Sequence, residues 1–144
     1  MRNKNLILTL IDNSAKAFGQ LTGLNEDEKL IATLIIIHDT IESEFGFNSN
    51  LMTPKALANI LERDNIEMEQ IGLLTKLLWT QAEILLKLDQ SIASLIHYEN
   101  ALLLLLWPTQ RTFAKDYSEK QNEIAELKAI INMLKPASNQ FNYN

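Results

Sequence analysis

The chain contains no cysteine and little glycine or proline, with four glycines and three prolines among 144 residues. An average protein carries about 12% of these two residues, so their scarcity argues against collagen, small barrels and many-stranded sheets joined by tight turns. Without cysteine there can be no disulfide and no thiolate metal site. The longest uninterrupted apolar run, 101–107, is far shorter than the roughly 20 residues that span a bilayer. We therefore expect no membrane span.

Basic residues are not in excess either, since the chain has 13 Lys and Arg and 18 Asp and Glu, which gives a formal net charge of −5. Nucleic-acid binding depends on clustered cations that neutralise phosphates, so this balance disfavours a nucleic-acid partner. The short apolar run after Arg2 and Lys4 ends at Asp12 and is shorter than the apolar core of a secretory signal. The sequence therefore predicts a cytoplasmic location.

Apolar residues recur at intervals of three and four along the chain, a spacing typical of amphipathic helices, and no alternating strand pattern stands out. The sequence predicts an all-α protein: a single-domain bundle of five to six helices in 1–135, with a long central helix and antiparallel hairpins. The polar tail 136–144 is expected to be flexible. The predicted helical segments are 3–20, 26–45, 54–63, 66–107 and 110–135. The longest, 66–107, is expected to break near 89–91, with one continuous helix as the alternative.

Helix ends are marked by capping residues. Asn25 precedes three acidic residues, a pattern that predicts an N-cap with favourable charges in the first turn, and Gly46 predicts the end of the same helix. Thr53 followed by Pro54 predicts the start of the next helix, because proline is tolerated at the first helical position. We expect Asp64 and Asn65 to end that helix and to cap the following one.

The last predicted helix carries a seam with steps of three and four residues, interrupted by Lys120. Such a seam packs against another helix, which can belong to the same chain or to a partner. We expect the seam to be the partner-binding surface, through either another protein or self-association. The favoured function is thus a non-enzymatic interaction or regulatory protein, with a homodimer as one form of the interaction. The partner-binding candidates are Tyr117, Ile124, Leu127, Ile131 and Leu134.

His38 is the main candidate for chemistry, because Glu42 follows it by one helical turn and Asp39 is adjacent. The string Ile-Ile-Ile-His38-Asp39 resembles the His-Asp step of the HD phosphohydrolases, although no histidine precedes it. A small metal-dependent hydrolase using His38, Asp39 and Glu42 as catalytic residues is the first alternative. The Glu-x-x-His motif of carboxylate-bridged metal bundles is absent, since Ile35 and Ser94 stand three residues before the two histidines. We expect no metal site and no cofactor.

A DNA-binding transcriptional regulator is the second alternative, with a helix-turn-helix in 53–78. Its candidate recognition helix begins with Glu67 and Glu69, and carboxylates at that end repel phosphate.

Two further residues carry expectations. His97 aligns with Gln90, Ser94 and Asn100 on the polar side of its predicted helix, and we expect it to be exposed. Trp79 is expected to anchor packing rather than to contact a cofactor.

Overall fold

The computed structural model describes residues 25–109 and 114–135 together with Thr9 and Asn13; side chains are described for 25–107 and 120–135 and for those two residues. This part of the chain forms five α-helices and contains no strand, which confirms the all-α prediction. Thr9 and Asn13 are helical and exposed, and the rest of the predicted segment 3–20 and the tail 136–144 lie outside the described residues. The helices are α1 (Glu26–Phe45), α2 (Pro54–Asp64), α3 (Met68–Lys87), α4 (Ser91–Thr109) and α5 (Ala114–Leu134), with a 3₁₀ turn at Ser49–Leu51.

Local caps set the helix ends, mostly as predicted. The Asn25 side chain accepts a hydrogen bond from the Glu28 N–H at 2.8 Å, and Gly46 ends α1 with a left-handed φ of 80°. The Thr53 hydroxyl accepts from the Ala56 N–H at 3.2 Å. One prediction was wrong, since Asp64 and Asn65 end α2 without capping the next helix.

The cap of α3 is Glu67, whose backbone N–H donates to the Gln70 side chain at 3.3 Å. Asn65 instead adopts a left-handed conformation, with a φ of 49°, and turns the chain away from α2. Ile66 then leads to Glu67 at the start of α3, where its partner Gln70 lies three residues further on.

The predicted break in 66–107 is confirmed, because α3 ends at Lys87 and α4 begins at Ser91. Asp89 has a left-handed φ of 61°, and the Gln90 N–H donates to the Leu85 carbonyl at 2.9 Å. This bond, with the one from Asp89 N–H to Leu86 O, forms a Schellman motif that closes α3 and reverses the chain. The Ser94 hydroxyl then donates to the Ala82 carbonyl at 2.7 Å across the resulting hairpin.

Helix α4 is the centre of the bundle, in contact with α2, α3 and α5, while α1 packs against α3 and the 3₁₀ turn. Fully buried side chains from every packed helix meet in one core, and burying each large apolar side chain contributes about 1.5–3 kcal/mol. In the part of the chain that is described, no helix has both the length and the apolar character to cross a bilayer. The innermost of these side chains are Ile37, Ile41, Leu57, Leu61, Leu73, Leu74, Leu77, Leu78, Leu104 and Leu127.

Candidate functional site

The seam of the last helix lies inside this chain. Ile124, only 2% exposed, is buried together with Leu127 and Ile131 in the core on the side where α5 packs against α4. Leu134 is half-buried beside them, and the side chain of Tyr117 lies outside the described residues. A partner would reach this seam only if α5 separated from α4. The partner prediction for these residues therefore requires part of the bundle to open.

His38 lies half-buried on α1, between the core and the solvent. Its Nε2 is 3.7 Å from Glu42 Oε2, so the two residues one turn apart do meet, and its Nδ1 is 3.4 Å from the Ser49 hydroxyl. Asp39 is exposed. The three catalytic candidates of the sequence therefore divide into a His38–Glu42 pair and a carboxylate that faces solvent.

Ser49 has 0% of its surface exposed, and its hydroxyl accepts a hydrogen bond from Gln81 Nε2 at 3.0 Å. A serine hydroxyl has one proton to donate, and here His38 Nδ1 is placed to accept it. The other ring nitrogen, Nε2, faces Glu42. We call His38, Ser49 and Gln81 the polar tie, because they join α1, the 3₁₀ turn and α3.

Together with Glu42, the polar tie places a hydroxyl, an imidazole and a carboxylate in the order that nucleophilic hydrolases use. A nucleophile must nevertheless touch its substrate, and the Ser49 side chain is closed off from solvent. The amide N–H of Gln81 also occupies a lone pair of the hydroxyl. The geometry thus suits a structural hydrogen-bond chain better than a catalytic one. Neither Ser49 nor Gln81 was found from the sequence, since nothing in their local pattern marks them as buried.

The prediction that His97 is exposed was wrong. His97 is 3% exposed, and Ser94 and Asn100 on the same stripe of α4 are fully buried. Each finds a backbone carbonyl: Ser94 reaches Ala82 across the hairpin, His97 Nδ1 donates to Ala93 at 2.9 Å, and Asn100 Nδ2 donates to Met52 at 3.1 Å. A polar stripe can enter a core when neighbouring carbonyls accept its hydrogen bonds.

Burial lowers the pKa of His97 below its usual 6.5, so the imidazole is neutral near pH 7. Because Nδ1 carries the proton given to Ala93, Nε2 is an acceptor. Among the described residues it has no hydrogen-bond partner, and the same holds for Gln81 Oε1 and Asn100 Oδ1. These buried acceptors belong to side chains that already fix the core through their donor atoms.

Within the described residues, no group of three or more His, Asp and Glu side chains is placed to hold a metal ion. Of the three catalytic candidates of the hydrolase alternative, only His38 and Glu42 lie together. For the DNA-binding alternative, Glu67 and Glu69 are both exposed at the start of α3, where they would meet phosphate.

The outer side of α3 carries an open groove of about 270 Å³, lined by Lys76, Trp79, Thr80 and Glu83. Trp79 is half-buried and packs against the core, as expected of a packing anchor. The groove is a shallow surface depression beside that anchor, with opposite charges at its edges.

One apolar pair on α1 faces solvent. Ile31 is 46% exposed and Ile35 is 55% exposed, although Ile37 and Ile41 on the same helix are in the core. From the sequence, Ile31 and Ile35 share the apolar face of His38. The structure divides the apolar residues of α1, which packs against α3: Ile37 and Ile41 are buried, whereas Ile31 and Ile35 are exposed.

Acidic residues border the exposed pair. Glu28 lies one turn before Ile31, Asp39 one turn after Ile35 and Glu42 two turns after it, and all three are exposed. We call these five residues the Ile31/Ile35 face. Four of them, Glu28, Ile31, Ile35 and Glu42, follow one another with His38 before Glu42 at alternating steps of three and four residues, the spacing of a helix-packing seam.

Comparisons with known proteins give no relative from which to infer a function: no family model, no curated protein and no solved structure matches the chain. The described part of the chain is an all-α helical bundle.

Proposed function

We propose that this chain is a non-enzymatic protein that binds another protein through the Ile31/Ile35 face. The observation that supports the proposal is the exposure of two isoleucines one turn apart on a well-packed helix. Of the side chains that the structure describes, the other exposed large apolar ones are Leu51, Met68, Ile92 and Met133, which stand on other elements or at their ends. Isolated exposed apolar residues are ordinary, whereas a helical seam offers a surface for another helix.

The apolar surface that Ile31 and Ile35 expose is small, which indicates a reversible interaction. Covering two half-exposed isoleucines removes about as much apolar surface as burying one, which contributes about 1.5–3 kcal/mol. That free energy corresponds to roughly a 10- to 100-fold change in affinity. We infer a regulatory or adaptor role, in which partners exchange, rather than a permanent complex.

The predicted seam on α5 is a second candidate surface, which a partner reaches only after α5 separates from α4. Self-association through the Ile31/Ile35 face is disfavoured, because a two-fold pairing of this helix would bring its carboxylates against their own copies. The hydrolase and DNA-binding alternatives have no comparable feature among the described side chains.

Selection of binders tests the proposal. A library of displayed amphipathic helical peptides with randomised charges would be selected on the full chain, and the dissociation constants of the recovered peptides measured. We expect the double variant Ile31→Ser/Ile35→Ser to weaken their binding roughly 10- to 100-fold. The control Ile92→Ser, which changes an isoleucine that is 75% exposed on α4, should leave binding unchanged. Peptides that bind both variants equally would refute the proposed surface.

A further inference from the structure

The charge of the chain is concentrated on one helix. Helix α1 contains six carboxylates and one lysine, a net charge of −5 with His38 neutral, and the whole chain also has −5. Positive and negative residues therefore balance over the rest of the sequence. The Ile31/Ile35 face lies on this helix, and its three charged residues are all acidic.

From this arrangement, and resting on the proposed function, we infer that the partner is a basic amphipathic helix that lies along α1. Its apolar residues would cover Ile31 and Ile35, and its lysines or arginines would meet Glu28 at one end of the seam and Glu42 at the other. Glu28 and Glu42 are fourteen residues apart, which is about 21 Å along a helix. The two basic positions of the partner should be separated by a similar length.

Charge complementarity selects this partner over the others. A second copy would bring carboxylates against carboxylates, and nucleic acid or an anionic lipid surface would be repelled in the same way. Residues 1–24 of this chain include Arg2, Lys4 and Lys16 against a single acidic residue, Asp12, so they share the chemistry of the inferred partner. We place a separate molecule on Ile31 and Ile35, which are exposed, and treat cover by residues 1–24 as an outcome of the test.

The test uses a fluorescein-labelled helical peptide of about 21 residues, with leucines along one face between two lysines fourteen residues apart, and a twin with glutamate for every lysine. We expect the full chain to bind the lysine peptide and not the glutamate twin. Ile31→Ser/Ile35→Ser should weaken binding at least tenfold. Glu28→Gln/Glu42→Gln should weaken it several-fold and reduce its sensitivity to salt.

Matched variants control for general attraction between opposite charges. Glu123→Gln/Glu126→Gln removes the same charge from exposed positions on α5 and should leave binding unchanged. Equal binding of both peptides, or equal loss in both glutamine variants, would overturn the inferred partner. If peptides from the selection still depend on Ile31 and Ile35 while the lysine peptide fails, the surface stands and the partner chemistry is wrong. If neither depends on them, both proposals fail.

Because the chain has no cysteine, an introduced thiol is the only one present. Its labelling rate tests directly whether residues 1–24 or a second copy of the chain cover the Ile31/Ile35 face. Ile35→Cys should react with a maleimide about as fast as Asp39→Cys, which is exposed on the same helix. Slow labelling in a monomer would show that residues 1–24 cover the face, and slow labelling with a doubled mass in light scattering would show a second copy. Either result would overturn the inference.

Discussion

Ser49 is a small polar residue with a large structural role, because its hydroxyl joins His38 on α1 to Gln81 on α3. The sequence around it, an asparagine-containing connection between two helices, is typical of an exposed loop. Its burial could not be predicted, since it depends on two residues 11 and 32 positions away that only the fold brings together.

Ser49→Ala should lower the free energy of unfolding by about 1–3 kcal/mol, because it leaves Gln81 Nε2 and His38 Nδ1 without their shared partner. The measurement is urea denaturation followed by circular dichroism. Ser43→Ala is the matched control, since that hydroxyl bonds to the Thr40 carbonyl on the exposed side of α1 and its loss should change stability by less than about 0.5 kcal/mol. Equal effects of the two variants would show that the polar tie contributes no stability.

His97 predicts a dependence of stability on pH. Burial holds the pKa of His97 in the folded chain below 6.5, and unfolding returns it to about that value. As the pH falls below 6.5, the unfolded state takes up a proton that the folded state does not, so the free energy of unfolding decreases.

Urea midpoints between pH 7.5 and 5.5 should therefore fall more steeply for the wild type than for His97→Asn, whose amide can still donate to Ala93. A wild-type slope in His97→Asn would contradict this account.

Among the secondary-structure elements, the helix ends were the most predictable. Asn25, Gly46 and Thr53 act through backbone groups within four residues, so their patterns carry the necessary information. The seam of α5 was visible in the sequence as well. Its neighbour was not, because a stripe at steps of three and four packs equally well on a helix of its own chain or of another.

The burial of Ile124 makes a prediction about α5. Ile124→Glu should destabilise the chain by about 3–5 kcal/mol, because it leaves an unpaired charge in the core. Met133→Glu on the same helix, at a position 84% exposed, should change stability by less than about 0.5 kcal/mol. Thermal denaturation compares them. If Ile124→Glu were as stable as Met133→Glu, α5 would not pack against α4 as described.

In the molecule as a whole, the apolar composition accounts for the core, whereas the charge distribution distinguishes one helix of its surface. The composition accounts for the core, which collects apolar side chains from all the packed helices around α4. The charge is concentrated on α1, beside the apolar pair that the core leaves uncovered. Such a field steers an oppositely charged partner before contact, so its association rate should decrease as ionic strength rises.

By itself, the sequence determined that this chain is helical, where most of the helices begin and end, and where the long apolar segment breaks, because each of these depends on residues within about one turn of one another. The tertiary structure decided which apolar stripe faces a neighbour and which faces water. It also decided that His97, Asn100 and Ser49 are buried. The hydrogen-bond partners of Asn100 and Ser49 come from distant parts of the chain, whereas His97 bonds to Ala93 on its own helix. Apolar residues at steps of three and four indicate that one face of a helix is apolar, but only the packing of the other helices determines whether that face is covered.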